Sequence, residues 1–190
     1  LDLEFVLEDL NKILSSFALG AERIKHISTS LRTFCRSDRE RKIEADLHEC
    51  LDSTLTILQH RLKAKGDRPA IKVFQSYGCL PPVFCYPGQM NQVFMNILAN
   101  AIDALEEAMN QGKVWEPEIK IITQLGARES VVIEIADNAL GIPESIRDRL
   151  FEPLFTTKAV GKGTGLGLAI AHQILTEKHQ GRITVQSQLG

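Results

Sequence analysis

The chain has 190 residues, of which 44% are hydrophobic, 6% aromatic and 24% charged, with a formal net charge of -2. That apolar share can bury a real core, and the length suits one domain of about 150 residues plus an appendage. The balance of charge offers no basic field for nucleic acid, and no apolar run approaches the ~20 residues of a membrane span.

The first segment is a helix with a seam. Leu3, Leu7, Leu10, Leu14, Phe17, Ala21, Ile24, Ser28, Leu31 and Cys35 alternate by three and four, with Ile27 and Phe34 widening the stripe. Such a stripe cannot be buried by one helix, so residues 1–36 point to a coiled coil or bundle rather than to an amphipathic helix on its own domain. The run Arg36 to Lys42 lacks apolar residues. It reads as a hinge or a solvated helix end, and 37–42 is taken as a linker.

From Ile43 to Gly190 the pattern is α+β. Asp46 is placed to cap a helix carrying Leu47, Leu51, Leu55 and Leu58, with Glu49 three residues on as in a capping box. Alternation over Ala70–Phe74 predicts a half-buried strand, Val83–Tyr86 a short one, and Gln89–Met109 a long helix with Val93, Ile97, Ala101 and Leu105 inward. Glu118–Gln124 and Ser130–Ala136 read as a hairpin about Gly126-Ala127-Arg128. Pro143 opens a short helix through Leu150, a further helix runs to Lys178, and Arg182–Gln186 reads as a last strand. Helices against an antiparallel or mixed sheet make a two-layer α/β sandwich. The four cysteines, Cys35, Cys50, Cys79 and Cys85, show no C-x-x-C spacing and read as reduced thiols of a cytoplasmic protein, although Cys79 and Cys85 are able to pair.

Three stretches carry polar chemistry. Asn96 and Asn100 share one helix face, where asparagine is a poor helix former. They serve either as caps to neighbouring loops or, through the Asn100 carbonyl oxygen, as a ligand for a Mg²⁺ that takes most of its charge from phosphates. Asp137-Asn138-Ala139-Leu140-Gly141-Ile142 closes a strand. It is either a polar turn or a carboxylate that accepts from an exocyclic amine such as adenine N6. Gly163, Gly165 and Gly167 lead into Leu168-Ala169-Ile170-Ala171. A glycine turn before a helix is a mobile joint or an anion cradle made of amides and the helix dipole.

Taken in order, Asn96-x-x-x-Asn100-Ala101-x-Asp103, DNALGI, FEPLFTTK and GTGLGL resemble the N, G1, F and G2 boxes of the histidine kinase ATP-binding domain. This Bergerat fold is shared with DNA gyrase and MutL. The resemblance covers roughly Asp46 to Gly190. The first helix, with its Ser30–Arg36 segment SLRTFCR, resembles the second helix of a dimerisation and phosphotransfer domain, as in multi-sensor kinases of cyanobacterial type.

The resemblance implies roles. Asn100 would bind Mg²⁺, with Asn96 as the catalytic position near the phosphates. Asp137 would hold adenine, with Gly141 and Ile142 under the base. Gly163, Thr164, Gly165, Leu166, Gly167 and Leu168 would cradle the phosphates. Phe151 and Phe155 would anchor an ATP lid from which Lys158 or Lys162 reaches phosphate. Asp103 would act through water towards the metal or adenine. ATP and Mg²⁺ are the implied ligands. The implied partners are a second copy through the N-terminal helix and a response regulator receiver domain, with no nucleic acid and no direct membrane contact.

Departures from the pattern matter as much. Ala139 replaces a glycine usual in the G1 box, a substitution costing about 1 kcal/mol if the position needs positive φ. None of His26, His48, His60, His172 and His179 stands in a phosphoacceptor box, so the accepting histidine is expected outside this chain. Asn96 stands where ATP-hydrolysing relatives carry a glutamate base, and an amide cannot take a proton from water. The reading is therefore phosphoryl transfer to an external histidine. The alternatives are a serine or protein kinase on the same fold, or a dimerisation module without catalysis.

Overall fold

The computed structural model describes residues 41–114, 116–127, 129–158 and 163–189. The expected seam helix over 1–36, the first residues of the linker, Cys35 and Lys162 lie outside the described residues.

Strand β1 (Ile43–Ala45) leads to helix α1 (Leu47–Leu62). Asp46 caps that helix by accepting the His48 amide at 2.8 Å. The inward face is Leu47, Cys50, Leu51, Thr54 and Leu58, with the Thr54 hydroxyl donating to the Cys50 carbonyl at 2.8 Å. Burial pushes the Cys50 thiol up to about 11, so it packs as a neutral apolar group. Cys50, Cys79 and Cys85 are all free thiols.

Strand β2 spans Lys72–Tyr77, starting two residues later than the expected Ala70. The Ile71 amide is already bound to the Leu62 carbonyl at 2.9 Å at the end of α1. The ladder therefore begins only at Lys72, whose amide bonds Pro117 at 2.9 Å. Strand β3 (Val83–Cys85) pairs antiparallel with β1. Helix α2 (Pro87–Asn110) then opens with proline in its first turn, where a missing N–H costs nothing. It buries Val93, Phe94, Leu98, Ala101, Ile102 and Leu105, while Ile97 is only partly covered.

Strands β4 (Glu118–Leu125) and β5 (Val131–Asp137) form the expected hairpin, and β2 lies parallel to β4. The mixed sheet order is β2-β4-β5. Ile119, Ile121 and Thr123 face the core, and Val131, Ile133 and Ile135 pack against it. Phe74, Ile122 and Val132 alternate onto the solvent face. Helix α2 packs against α1, against β5 and against a last helix, α4 (Gly167–Gln173), so the molecule is an α+β sandwich with helices on one sheet face.

Two expectations are corrected at the C-terminal side. Helix α3 covers only Glu144–Arg147, and Pro143 precedes it; beyond Arg147 the chain makes three-residue turns, Arg149 amide to Ile146 and Leu150 amide to Arg147. Residues 182–186 join no ladder among the described residues. That backbone is fastened instead by single bonds at Ser187, whose hydroxyl accepts the Ile142 amide at 2.8 Å and whose carbonyl accepts Arg147 Nη2 at 3.1 Å. Helix α4 does reach Lys178, but its last turn, Ile174–Lys178, is wound as a π-helix.

Candidate nucleotide-binding site

Helix α2 supplies one wall. Asn96, Asn100 and Asp103 lie along a face towards α4 and the segment that precedes it. The Asn96 amide donates to the Gly167 carbonyl at 2.9 Å, so it clasps the first turn of α4 to α2. A Cβ at Gly167 would meet the Asn96 side chain at 3.6 Å, an ordinary contact, so the clasp rather than steric need sets this spacing.

The glycine turn is fastened to the FEPLF segment. The Leu154 amide donates to the Gly165 carbonyl at 2.9 Å, and Gly165 takes φ +65°. A Cβ there would lie 2.4 Å from Leu154 backbone, so only glycine fits. Leu154 itself stands at φ +68° and is 71% exposed, a strained position for a bulky residue. At Gly163 a Cβ would come within 2.4 Å of Thr156 Oγ1. The Thr164 hydroxyl accepts the Leu166 amide at 3.4 Å and, with Leu168, belongs to the same turn and helix start. Phe151 packs against His172 of α4 at 5.0 Å, and the Arg149 guanidinium sits 4.4 Å over the Phe155 ring. Phe151 therefore ties this segment to α4, whereas the Phe155 contact lies within the segment itself.

Lys158 brings the segment back to α2. Its ammonium donates to Asn100 Oδ1 at 3.2 Å and to Asp103 Oδ2. Asp103 Oδ1 also accepts Arg61 Nη2, from the last turn of α1, at 2.5 Å. Burial alone would lower the Arg61 pKa, but the bonds to Asp103 and Glu106 more than offset it and hold the guanidinium charged. Arg61, Glu106 and Arg68 escaped the sequence reading. The available signal was two acids, Asp103 and Glu106, three apart on one helix face and in need of cations.

The strand-end group lies at the tip of β5. Asp137 Oδ1 accepts the Ala139 amide at 3.1 Å, and no bond to its other oxygen occurs among the described residues. The residue is exposed at the tip, yet neighbouring atoms take part of the carboxyl's hydration. The lost hydration raises its pKa, opposed by the Ala139 amide. Ala139 is not among the positive-φ residues, so it carries no strain. Gly141, at φ +78°, makes the turn, and a Cβ on it would fall 2.0 Å from the Gln188 carbonyl oxygen. No described hydrogen bond joins Asp137 to the Asn100–Lys158 group.

Residues 86–190 match the family of histidine kinase-, DNA gyrase B- and HSP90-like ATPases. The chain belongs to this family. Among curated members, it is 40% identical to sporulation kinase E of Bacillus subtilis over 58% of this chain and 14% of that one. It is 33% identical to the sensor kinase CckA of Brucella abortus over 90% and 18%. The chain thus spans less than a fifth of the length of these two relatives. Among solved family structures, the catalytic domain of histidine kinase ThkA aligns at TM-score 0.62 and 25% identity, over 76% of this chain and 86% of that one. Full-length ShkA in complex with AMPPNP aligns at TM-score 0.71 and 20% identity, over 95% and 36%, which shows the fold.

Among the described residues no group of three or more His, Cys, Asp or Glu is placed to hold a metal ion. A single amide oxygen, Asn100 Oδ1, fits a Mg²⁺ that arrives with phosphates and keeps its waters, and does not fit a resident metal centre.

Proposed function

We propose that this chain is the ATP-binding catalytic portion of a two-component sensor histidine kinase, which transfers the γ-phosphate of ATP to a histidine outside these residues. The observation that carries the reading is that one face of α2 meets the glycine turn and the residue beside it: Asn96 donates to Gly167, and Asn100 accepts from Lys158, whose side chain lies against Gly163. Phosphoryl transfer asks a protein mainly to align the terminal phosphate and neutralise its charge. Lys158 supplies a cation, Asn100 a neutral oxygen for Mg²⁺, and the turn from Gly163 to Leu168 its amides. Asp137, with an unengaged oxygen, supplies the acceptor for the adenine amine. Asn96 gives no base for water, which favours transfer over hydrolysis.

The described histidines support an external acceptor. His48 stacks on Tyr77 at 4.3 Å, His60 bonds the Ile57 carbonyl, His172 packs on Phe151 and His179 bridges two backbone groups. Dimerisation through residues 1–36 and delivery to a response regulator receiver domain complete the proposal, in a cytoplasmic setting.

Calorimetric titration tests it. The chain should bind Mg·ATP, and Asp137→Asn should lower affinity for ATP at least tenfold, because an amide that keeps its NH₂ towards adenine meets donor with donor. Unchanged ATP binding by Asp137→Asn overturns the adenine assignment. Incubated with labelled ATP, the chain alone should gain no acid-labile label; stable label of that kind would overturn the external histidine.

A further inference from the structure

The charged residues behind the candidate site form a chain with one cation too many. Lys158 meets Asp103, Asp103 meets Arg61, Arg61 also meets Glu106 at 2.7 Å, and Glu106 meets Arg68 at 2.5 Å. Arg68 Nη2 is pinned further to the carbonyls of Arg61, at 2.5 Å, and Lys63, at 2.8 Å. The set is three cations against two carboxylates. Remove Lys158 and it becomes two against two, with each carboxylate still holding a guanidinium.

The three cations are not equivalent. Arg61 and Arg68 are bound at the end of α1 by several bonds each, and a guanidinium fork holds its geometry well. Lys158 comes from a surface turn in which its own amide bonds Thr156 Oγ1 at 3.2 Å. Its flexible stem ends in a point charge with no fixed bond direction. It is the cation most readily given up. Its second acceptor, Asn100 Oδ1, is the oxygen that a divalent ion would claim, and a divalent ion at that atom repels an ammonium 3.2 Å away.

We propose that Lys158 is an exchangeable contact: Asp103 and Asn100 hold it until the terminal phosphates of a metal-bound nucleotide take it, and Arg61 is the positioning residue that keeps Asp103 neutralised afterwards. This rests on the nucleotide-binding reading and deepens it. Asp103 is then a competitor for Lys158, where a ligand acting through water towards the nucleotide would help binding. The two roles have opposite signs in experiment.

The test compares the full 190-residue chain with Asp103→Asn, Lys158→Gln and the double variant by calorimetric titration with Mg·ATP and Mg·AMP. Releasing Lys158 in Asp103→Asn should tighten Mg·ATP about three- to tenfold and leave Mg·AMP unchanged. The gain should vanish in the double variant, because Lys158 carries it. Without nucleotide, acetylation of Lys158 read by mass spectrometry should be several-fold faster in Asp103→Asn than in the parent. Weaker or unchanged Mg·ATP binding by a folded Asp103→Asn overturns the proposal, as does unchanged acetylation. Should Asp103→Asn not fold, Lys158→Gln decides alone: it must weaken Mg·ATP while sparing Mg·AMP, and equal loss or no loss overturns the exchange. A parent chain that binds no ATP overturns the functional reading as well, whereas a parent that binds with no gain in Asp103→Asn overturns only the exchange.

Discussion

Gly165 stands at φ +65° against the backbone of Leu154, and the two residues share the bond that fastens the glycine turn. An alanine here carries the left-handed penalty of about 1–2 kcal/mol, plus a Cβ driven into the Leu154 backbone. The turn can relieve both by opening locally, so Gly165→Ala should cost about tenfold in ATP affinity. The chemical unfolding midpoint should move little. Equal affinity in a titration would show that the turn is not part of the cradle. His179 makes a pH prediction at the same scale. Its Nδ1 donates to the Ile174 carbonyl at 2.9 Å, its Nε2 accepts the Tyr86 amide at 3.1 Å, and burial, with Lys42 nearby, lowers its pKa below 6.5. The unfolded chain binds that proton first, so the stability from neutral His179 is full above about pH 6.5 and lost as pH falls through the window beneath it. Urea titrations at pH 7.5 and 5.5 should show a loss in the parent chain that is smaller in His179→Gln. At residue scale the Asn100 and Lys158 positions were legible because they sit in contiguous motifs. The Arg61–Asp103 pair was not, since residues 42 apart in sequence leave no local pattern.

Among elements, α2 is the one on which the others converge, and its burial says what each position is worth. Leu105 is fully buried in the core, whereas Ile57 on the outer face of α1 is 62% exposed. Leu105→Ala should therefore cost about 2–5 kcal/mol in a denaturant titration. Ile57→Ala should stay within about 0.5 kcal/mol. Similar losses for both would mean that Ile57 is covered by a segment outside the described residues. The same contrast explains which elements the sequence displayed. Helices α1 and α2 and the β4–β5 hairpin bury one face by local periodicity, with a cap at Asp46 and a turn at Gly126, so a single chain pattern suffices. The expectation at 182–186 failed because alternation predicts a half-buried face but not a partner, and that backbone is held by Ser187 to the α3 side of the molecule instead. The start of β2 slipped because the end of α1 had already engaged the Ile71 amide.

At the scale of the whole molecule, the site and the core pull in opposite directions at Asp137. Its carboxyl is raised by lost hydration, so ionising it at neutral pH works against the native state, and the native chain binds the proton more readily than the unfolded one. Asp137→Asn should thus unfold at a slightly higher temperature than the parent at pH 7 while losing ATP, a separation that simple misfolding could not produce. Ligand then restores what the site costs. A nucleotide that binds only the native chain adds about 2.7 kcal/mol at a concentration one hundred times its Kd. On the proposed reading Asn100 and the phosphates share Mg²⁺, so the metal should contribute to that gain without being bound on its own. Thermal unfolding of the parent should therefore shift upward by several degrees with Mg·ATP, by less with ATP in excess EDTA, and not at all with Mg²⁺ alone. Asn100→Ala should abolish the difference between the Mg·ATP and EDTA shifts. An equal shift with and without metal in the parent would remove Asn100 as a ligand and leave the glycine turn and Lys158 to carry the phosphates.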